Sequence, residues 1–121
     1  MESPYKGKTG LRRLINAFGY SLAGLSAAYK NEDAFRQEVR MAIVLIPLAF
    51  YLGDTGIERA IMIAAVLLVM MVELLNSSIE ATVDRISLEN HLLAKRAKDI
   101  GSAAVLVSLV NLAVVWALLL V

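Results

Sequence analysis

Four polar residues break into one long apolar stretch. Glu73, Asn76, Glu80 and Asp84 stand at i, i+3, i+7 and i+11 within the segment Val69–Arg85. That spacing places them on one face of a helix. Glu73 follows thirteen apolar residues, Ala60 to Val72. A carboxylate at such depth in a bilayer costs about 2.5–3.5 kcal/mol on insertion scales. Two readings explain its presence: a polar site that handles ions or protons, or a helix–helix contact in which the acid is only hydrogen-bonded. A stripe of acids and an amide favours the first.

Carboxylates and an amide, without a histidine or cysteine cluster, suit a hard cation held through oxygen. Magnesium takes one or two carboxylates and leaves its other positions to waters and phosphates. Glu32 and Glu80 fit that role by position along the chain. Glu73, deeper and more desolvated, suits a general base acting on a weakly acidic hydroxyl. Lys98, beside Asp99, and Arg13 supply positive charge for holding phosphates. Neither a Gly-x-x-x-x-Gly-Lys loop nor a protein-kinase catalytic loop occurs, which excludes phosphotransferases of those types.

The elements that must position these groups follow from composition. The chain has 121 residues, 59% of them hydrophobic, and a mean hydropathy of +0.67. That is too apolar for an ordinary soluble domain and too short for two. With no cysteine there is no disulfide framework or thiolate metal site, and the single histidine, His91, excludes a multi-imidazole site. No cleavable leader is expected, because the first forty residues carry charges throughout. Any apolar spans are permanent, and no nucleic-acid partner is expected.

Residues 1–9 read as a loose polar end. From Leu11, apolar residues Leu14, Ile15, Phe18, Leu22 and Leu25 recur on one side, with Arg12, Arg13, Asn16 and Tyr20 elsewhere. This predicts a basic amphipathic helix over about 10–28, lying on a membrane surface. Gly19 and Gly24 are weak points where it could bend or pack closely. Asn31 is the expected cap of the next helix, with Glu32 and Asp33 in its first turn. The twelve apolar residues Met41–Leu52 are too short to cross alone, since a span needs about 20. Starting near Asn31 makes a first span of about 31–52, with Pro47 inside it. Gly53–Gly56 reads as a turn. A second span covers about 57–84, Ser87–Lys95 a polar loop, and a third span 98–121. In the third, Gly101, Ala104 and Ser108 form a small-residue face, and Asn111 is available to bridge helices.

Eleven of the twelve basic residues fall on one side of this arrangement, Arg59 alone on the other. The positive-inside rule then puts the N-terminus in the cytoplasm and the C-terminus outside. The acids gather on the cytoplasmic side, where ATP is found. The residues alone therefore describe a small polytopic protein with a carboxylate site at the inner face, better suited to lipid chemistry than to ion transport.

Three motifs carry a resemblance: Asn31–Glu38 (NEDAFRQE), Glu73–Glu80 (ELLNSSIE) with Asp84-Arg85, and Ala97–Ala104 (AKDIGSAA). In this order they resemble the prokaryotic diacylglycerol kinases, over nearly the whole chain. The resemblance implies an all-α membrane protein, a homotrimer of three-span subunits, each led by a surface helix, in the bacterial inner membrane. It implies transfer of the γ-phosphate of ATP to diacylglycerol, with Mg²⁺, at sites shared between subunits. Glu73 is then the base, and Glu32 and Glu80 the metal carboxylates. Arg13, Tyr20, Glu32, Asn76, Glu80, Glu89, Asn90, His91, Lys98 and Asp99 line the nucleotide. Arg13, Phe35, Glu38, Glu73 and Ser102 line the lipid. Phe18, Tyr29 and Ser78 depart from the family pattern, where a small residue, tryptophan and alanine are usual; none removes a charge. Two alternatives stand beside this one: a kinase of undecaprenol on a similar scaffold, and a small transporter or channel with Glu73 as ion ligand.

Overall fold

Helical spacing of apolar residues turns into four helices in the computed structural model, which describes residues 9–86 and 91–121. In chain order they are α1 (Leu11–Asn31), α2 (Asp33–Leu52), α3 (Gly56–Ile86) and α4 (Leu92–Leu120). The expected loose end at residues 1–8, with Lys6 and Lys8, and residues 87–90 of the expected loop lie outside the described part.

Among the described residues the apolar stripe of α1 is left largely uncovered. Leu11, Leu14, Ile15, Phe18, Leu22 and Leu25 are all exposed, and only Ala28 is buried. The helix runs unbroken through Gly19 and Gly24, three residues beyond its expected end. This corrects the expected cap. Asn31 is the last residue of α1, its amide donating back to the Ala27 carbonyl at 2.8 Å. Glu32, in extended conformation, is the one residue between α1 and α2. Arg36 locks this junction. Its guanidinium donates to the carbonyls of Tyr29 (2.7 Å) and Lys30 (2.9 Å) and pairs with Asp33. Carbonyls that the end of α1 leaves without helical partners are thereby satisfied.

On α2, Phe35, Glu38, Ala42 and Ala49 are buried, a stripe at i, i+3, i+7 and i+14. Pro47 sits within the helix on its exposed side. After the turn, Thr55 and Glu58 start α3 reciprocally. The Thr55 hydroxyl accepts from the Glu58 N–H at 3.1 Å, and the Glu58 carboxylate accepts from the Asp54 N–H at 2.9 Å. This is close to a capping box.

Helix α3 is the centre of the molecule, packing against α4 and α2. Met62, Val66 and Val69 are its fully buried side chains. Val66 and Val69 join Ala42, Ala65 and Leu112 in a core flanked by Met41, Leu45, Ile46, Met70, Val115 and Trp116. Small residues at the contacts, Ala42, Ala49, Ala65, Gly101 and Ser108, let the helix axes approach closely. Close packing of this kind holds helices together where the surroundings are as apolar as the side chains. Helices α3 and α4 run antiparallel, pinned at both ends. Trp116 Nε1 donates to the Met62 carbonyl at 3.1 Å, and Lys98 meets Asp84 at 2.6 Å.

Helix α4 begins at Leu92, six residues before the expected start at 98. His91 caps it, its Nδ1 accepting from the Leu93 N–H at 3.0 Å, and the Lys95–Asp99 pair at 2.7 Å braces the first turns. Side-chain capping and i, i+4 charge pairing make helix out of a stretch too polar to show an apolar period. The expected small-residue face is corrected in part: Gly101 and Ser108 are buried, but Ala104 is exposed. The inward line runs Gly101, Val105, Ser108, Leu112, with Asn111 half-buried beside it. Both α3 and α4 are long and apolar enough to cross a membrane.

Candidate active site

The polar stripe of α3 points inward where it is deepest and outward where it ends. Glu73 is 5% exposed and Asn76 7%. Glu80 is half-buried and Asp84 exposed. The Asn76 amide donates to Glu80 Oε1 at 3.3 Å, a neighbouring-turn contact that orients the carboxylate. One turn further, Asp84 takes the Lys98 ammonium of α4.

From α2 comes a second buried acid. Glu38 is 8% exposed, close enough to Glu73 for their charges to interact. Phe35, 2% exposed, lies one turn before it. Glu32 and Glu80 lie within electrostatic reach of Glu73 as well. Glu38 Oε2, Asn76 Oδ1 and Ser77 Oγ are buried and have no hydrogen-bond partner among the described residues. Buried polar atoms of this kind are costly unless something satisfies them. These three lie on α2 and α3 near Glu73, whereas a fourth such atom, Arg59 Nε, lies at the opposite end of α3.

Beside the stripe, α1 and α3 enclose a cavity of about 740 Å³. Gly24, Ala28, Asn31 and Glu32 line one wall; Leu74, Ser77, Ser78 and Ala81 line the other. Small residues create the room, and serine hydroxyls with one carboxylate give it a polar edge. Glu32 thus faces the Ser77–Ser78 side of α3, whereas Glu80 shares the Asn76 side. Among the described residues no three acid or histidine side chains converge in metal-binding geometry.

The other residues expected at the site are more scattered. Arg13 and Tyr20 stand exposed on α1. Ser102 is exposed next to buried Gly101. Asp99 is engaged with Lys95 rather than Lys98. His91 is occupied in capping α4. Glu89 and Asn90 lie outside the described residues. Reading the residues one by one missed the burial of Glu38 beside Glu73. The signal was present in the Phe35–Glu38–Ala42–Ala49 spacing, which marks the inner face of α2.

A helical hairpin apolar enough for a membrane, with acids and an amide held inside it, marks a membrane protein with a buried carboxylate site. Its relatives make that class specific. The family model described as prokaryotic diacylglycerol kinase matches residues 19–120. A diacylglycerol kinase of Pseudomonas aeruginosa is 60% identical over 118 residues, covering 98% of this chain and 96% of the relative. One of Haemophilus influenzae is 56% identical, covering 89% and 92%. One of Escherichia coli K12 is 50% identical, covering 93% and 92%. The chain belongs to the prokaryotic diacylglycerol kinase family.

Proposed function

We propose that this protein is an ATP-dependent diacylglycerol kinase that moves the γ-phosphate of ATP to the free hydroxyl of diacylglycerol, giving phosphatidic acid. One observation carries the chemistry: a carboxylate, Glu73, buried among further acids on the helix that ends at the charged Asp84–Lys98 pair. The lipid alcohol belongs to the membrane and ATP to water. A site joining them needs a base at the depth of the hydroxyl and charge at the depth of the phosphates.

The Glu73 carboxylate accepts the hydroxyl proton while the lipid oxygen attacks the γ-phosphorus and ADP leaves. Asn76 holds Glu80, and Lys98 and Arg13 neutralise phosphate charge. Phosphoryl transfer depends on such positioning and charge balance more than on covalent chemistry. Glu32 and Glu80 fit a magnesium ion, being oxygen donors at the half-buried rim of the site with no competing soft ligand. Bound there, the ion would offset phosphate charge. Phe35, Glu38 and Ser102 border the lipid. Tyr20, Glu89, Asn90, His91 and Asp99 complete the nucleotide side.

The whole chain is read as one membrane domain. Helix α1 lies on the surface with its apolar stripe in the lipid. Helix α2, 20 residues long, extends about 30 Å and adds the first span to α3 and α4. The excess of Lys and Arg on one side supports a cytoplasmic N-terminus and a periplasmic C-terminus in the bacterial inner membrane. A homotrimer with shared sites is supported by the placement of Glu32 and Glu80, which occupy different sides of α3 within one chain. The test is direct. Purified protein in mixed micelles, given Mg-ATP and diacylglycerol, should form phosphatidic acid. Undecaprenol offered alone should be a poor acceptor. Preference for undecaprenol, or no transfer to either alcohol, would reject the proposal.

A further inference from the structure

Gly101 lies in the interior of α4 and is buried, although glycine is a poor helix former. Its neighbour across the helix pair explains the choice. A methyl group at Gly101 would overlap the Oδ1 of Asn76 and come 3.2 Å from its Cγ. The Cα hydrogen that stands in place of a side chain is directed toward Oδ1, a weak contact of the sort seen where helices pack closely. No other partner reaches that oxygen among the described residues. The other end of the same amide donates to Glu80. The amide is therefore clamped at both ends, by an absent side chain on α4 and a carboxylate on α3.

We infer that Gly101 is a positioning residue for the metal–nucleotide side of the reaction: the space it leaves seats the Asn76 amide, which aims the Glu80 carboxylate. This rests on the reading of Glu80 as a metal carboxylate. An alanine at 101 displaces Asn76 and leaves Glu80 free to rotate. Losing an outer partner of a metal-binding carboxylate typically weakens metal binding about 10–100-fold.

The experiment is Mn²⁺ titration of the detergent-solubilised protein, followed by electron paramagnetic resonance with a nonhydrolysable ATP analogue present. Thermal unfolding is recorded in parallel. Gly101→Ala and Asn76→Ala should each weaken Mn²⁺ binding by about 10–100-fold. The double variant should bind no more weakly than Asn76→Ala, because removing the amide also removes what the methyl strikes. Losses that multiply in the double variant, or unchanged binding in Gly101→Ala, would overturn the inference. If Gly101→Ala does not fold, the comparison of the double variant with Asn76→Ala still decides, since weaker binding in the double variant rejects it. Glu80→Gln separates the two layers. Unchanged Mn²⁺ binding in that variant removes the metal role of Glu80 itself. Weakened binding there, with Gly101→Ala at wild-type affinity, removes only the role of Gly101.

Discussion

Lys98 and Asp84 form a direct ion pair at 2.6 Å that joins the end of α3 to the start of α4. Both side chains are about half exposed. A pair in that setting is screened by water and salt, and contributes little to stability. It holds instead a cation beside Asp84, one helical turn beyond Glu80, at the proposed nucleotide side of the site.

The two partners should therefore differ on substitution. Lys98→Ala is expected to raise the KM for ATP severalfold, while Asp84→Asn, which frees the ammonium, should not. Thermal unfolding of both should stay near wild type. Equal increases in KM would mean that the pair matters as a helix clip rather than as a phosphate contact.

Glu73→Gln keeps the shape and hydrogen bonding of the buried side chain and removes its basic oxygen. We expect a folded oligomer whose kcat is lower by about 10²–10⁴-fold, the usual worth of general-base catalysis. The measurement is phosphatidic acid formed per minute at saturating ATP and lipid. Turnover within a few-fold of wild type would leave Glu73 a structural acid only.

Glu32→Gln and Glu80→Gln each remove one oxygen charge from the proposed cation site. The Mg²⁺ concentration that gives half-maximal activity should rise in both. The lipid KM should remain near its wild-type value. A Mg²⁺ dependence that does not move in either variant would assign the cation to other groups.

The proposed sharing of sites makes a prediction about mixtures. Glu73→Gln and Glu32→Gln subunits, inactive separately, should regain part of the activity when refolded together. Some interfaces would then combine two intact groups. In the single chain Glu32 borders its own α3 across the α1 cavity, so the outcome is discriminating. Activity that stays at background across all mixing ratios, with mixed trimers verified by crosslinking, would mean that each chain builds its own site.

Trp116→Phe removes the indole N–H that reaches the Met62 carbonyl and keeps most of the ring. One such bond is worth about 0.5–1.5 kcal/mol net. Unfolding by denaturing detergent should shift by that amount. The kcat should hold, because this contact lies at the end of the hairpin away from Glu73. A large loss of kcat with unchanged stability would contradict that division.

The pattern along the chain determined the helices. Apolar spacing marked α1 and α3, the Gly53–Gly56 turn was visible, and the Glu73–Asn76–Glu80–Asp84 stripe was plain because helical periodicity is a local property. The burial of Glu73 was legible too, since thirteen apolar residues precede it. The start of α4 was not, because residues 92–98 are held helical by a His91 cap and a Lys95–Asp99 pair rather than by an apolar period.

The tertiary structure alone decided which faces meet. Beyond Gly101, α4 is apolar almost all round, so no moment in its sequence distinguishes Ala104, which is exposed, from Ser108, which is buried. The choice is made by fit: Gly101 admits Asn76, and Trp116 reaches Met62. Lys98 stands next to Asp99 in sequence but pairs with Asp84, because adjacent helical residues point about 100° apart while a neighbouring helix stands directly opposite. Glu38 and Glu73, far apart along the chain, come together by the same geometry. Local pattern sets what each helix is; packing of unlike surfaces sets which side chains share a site.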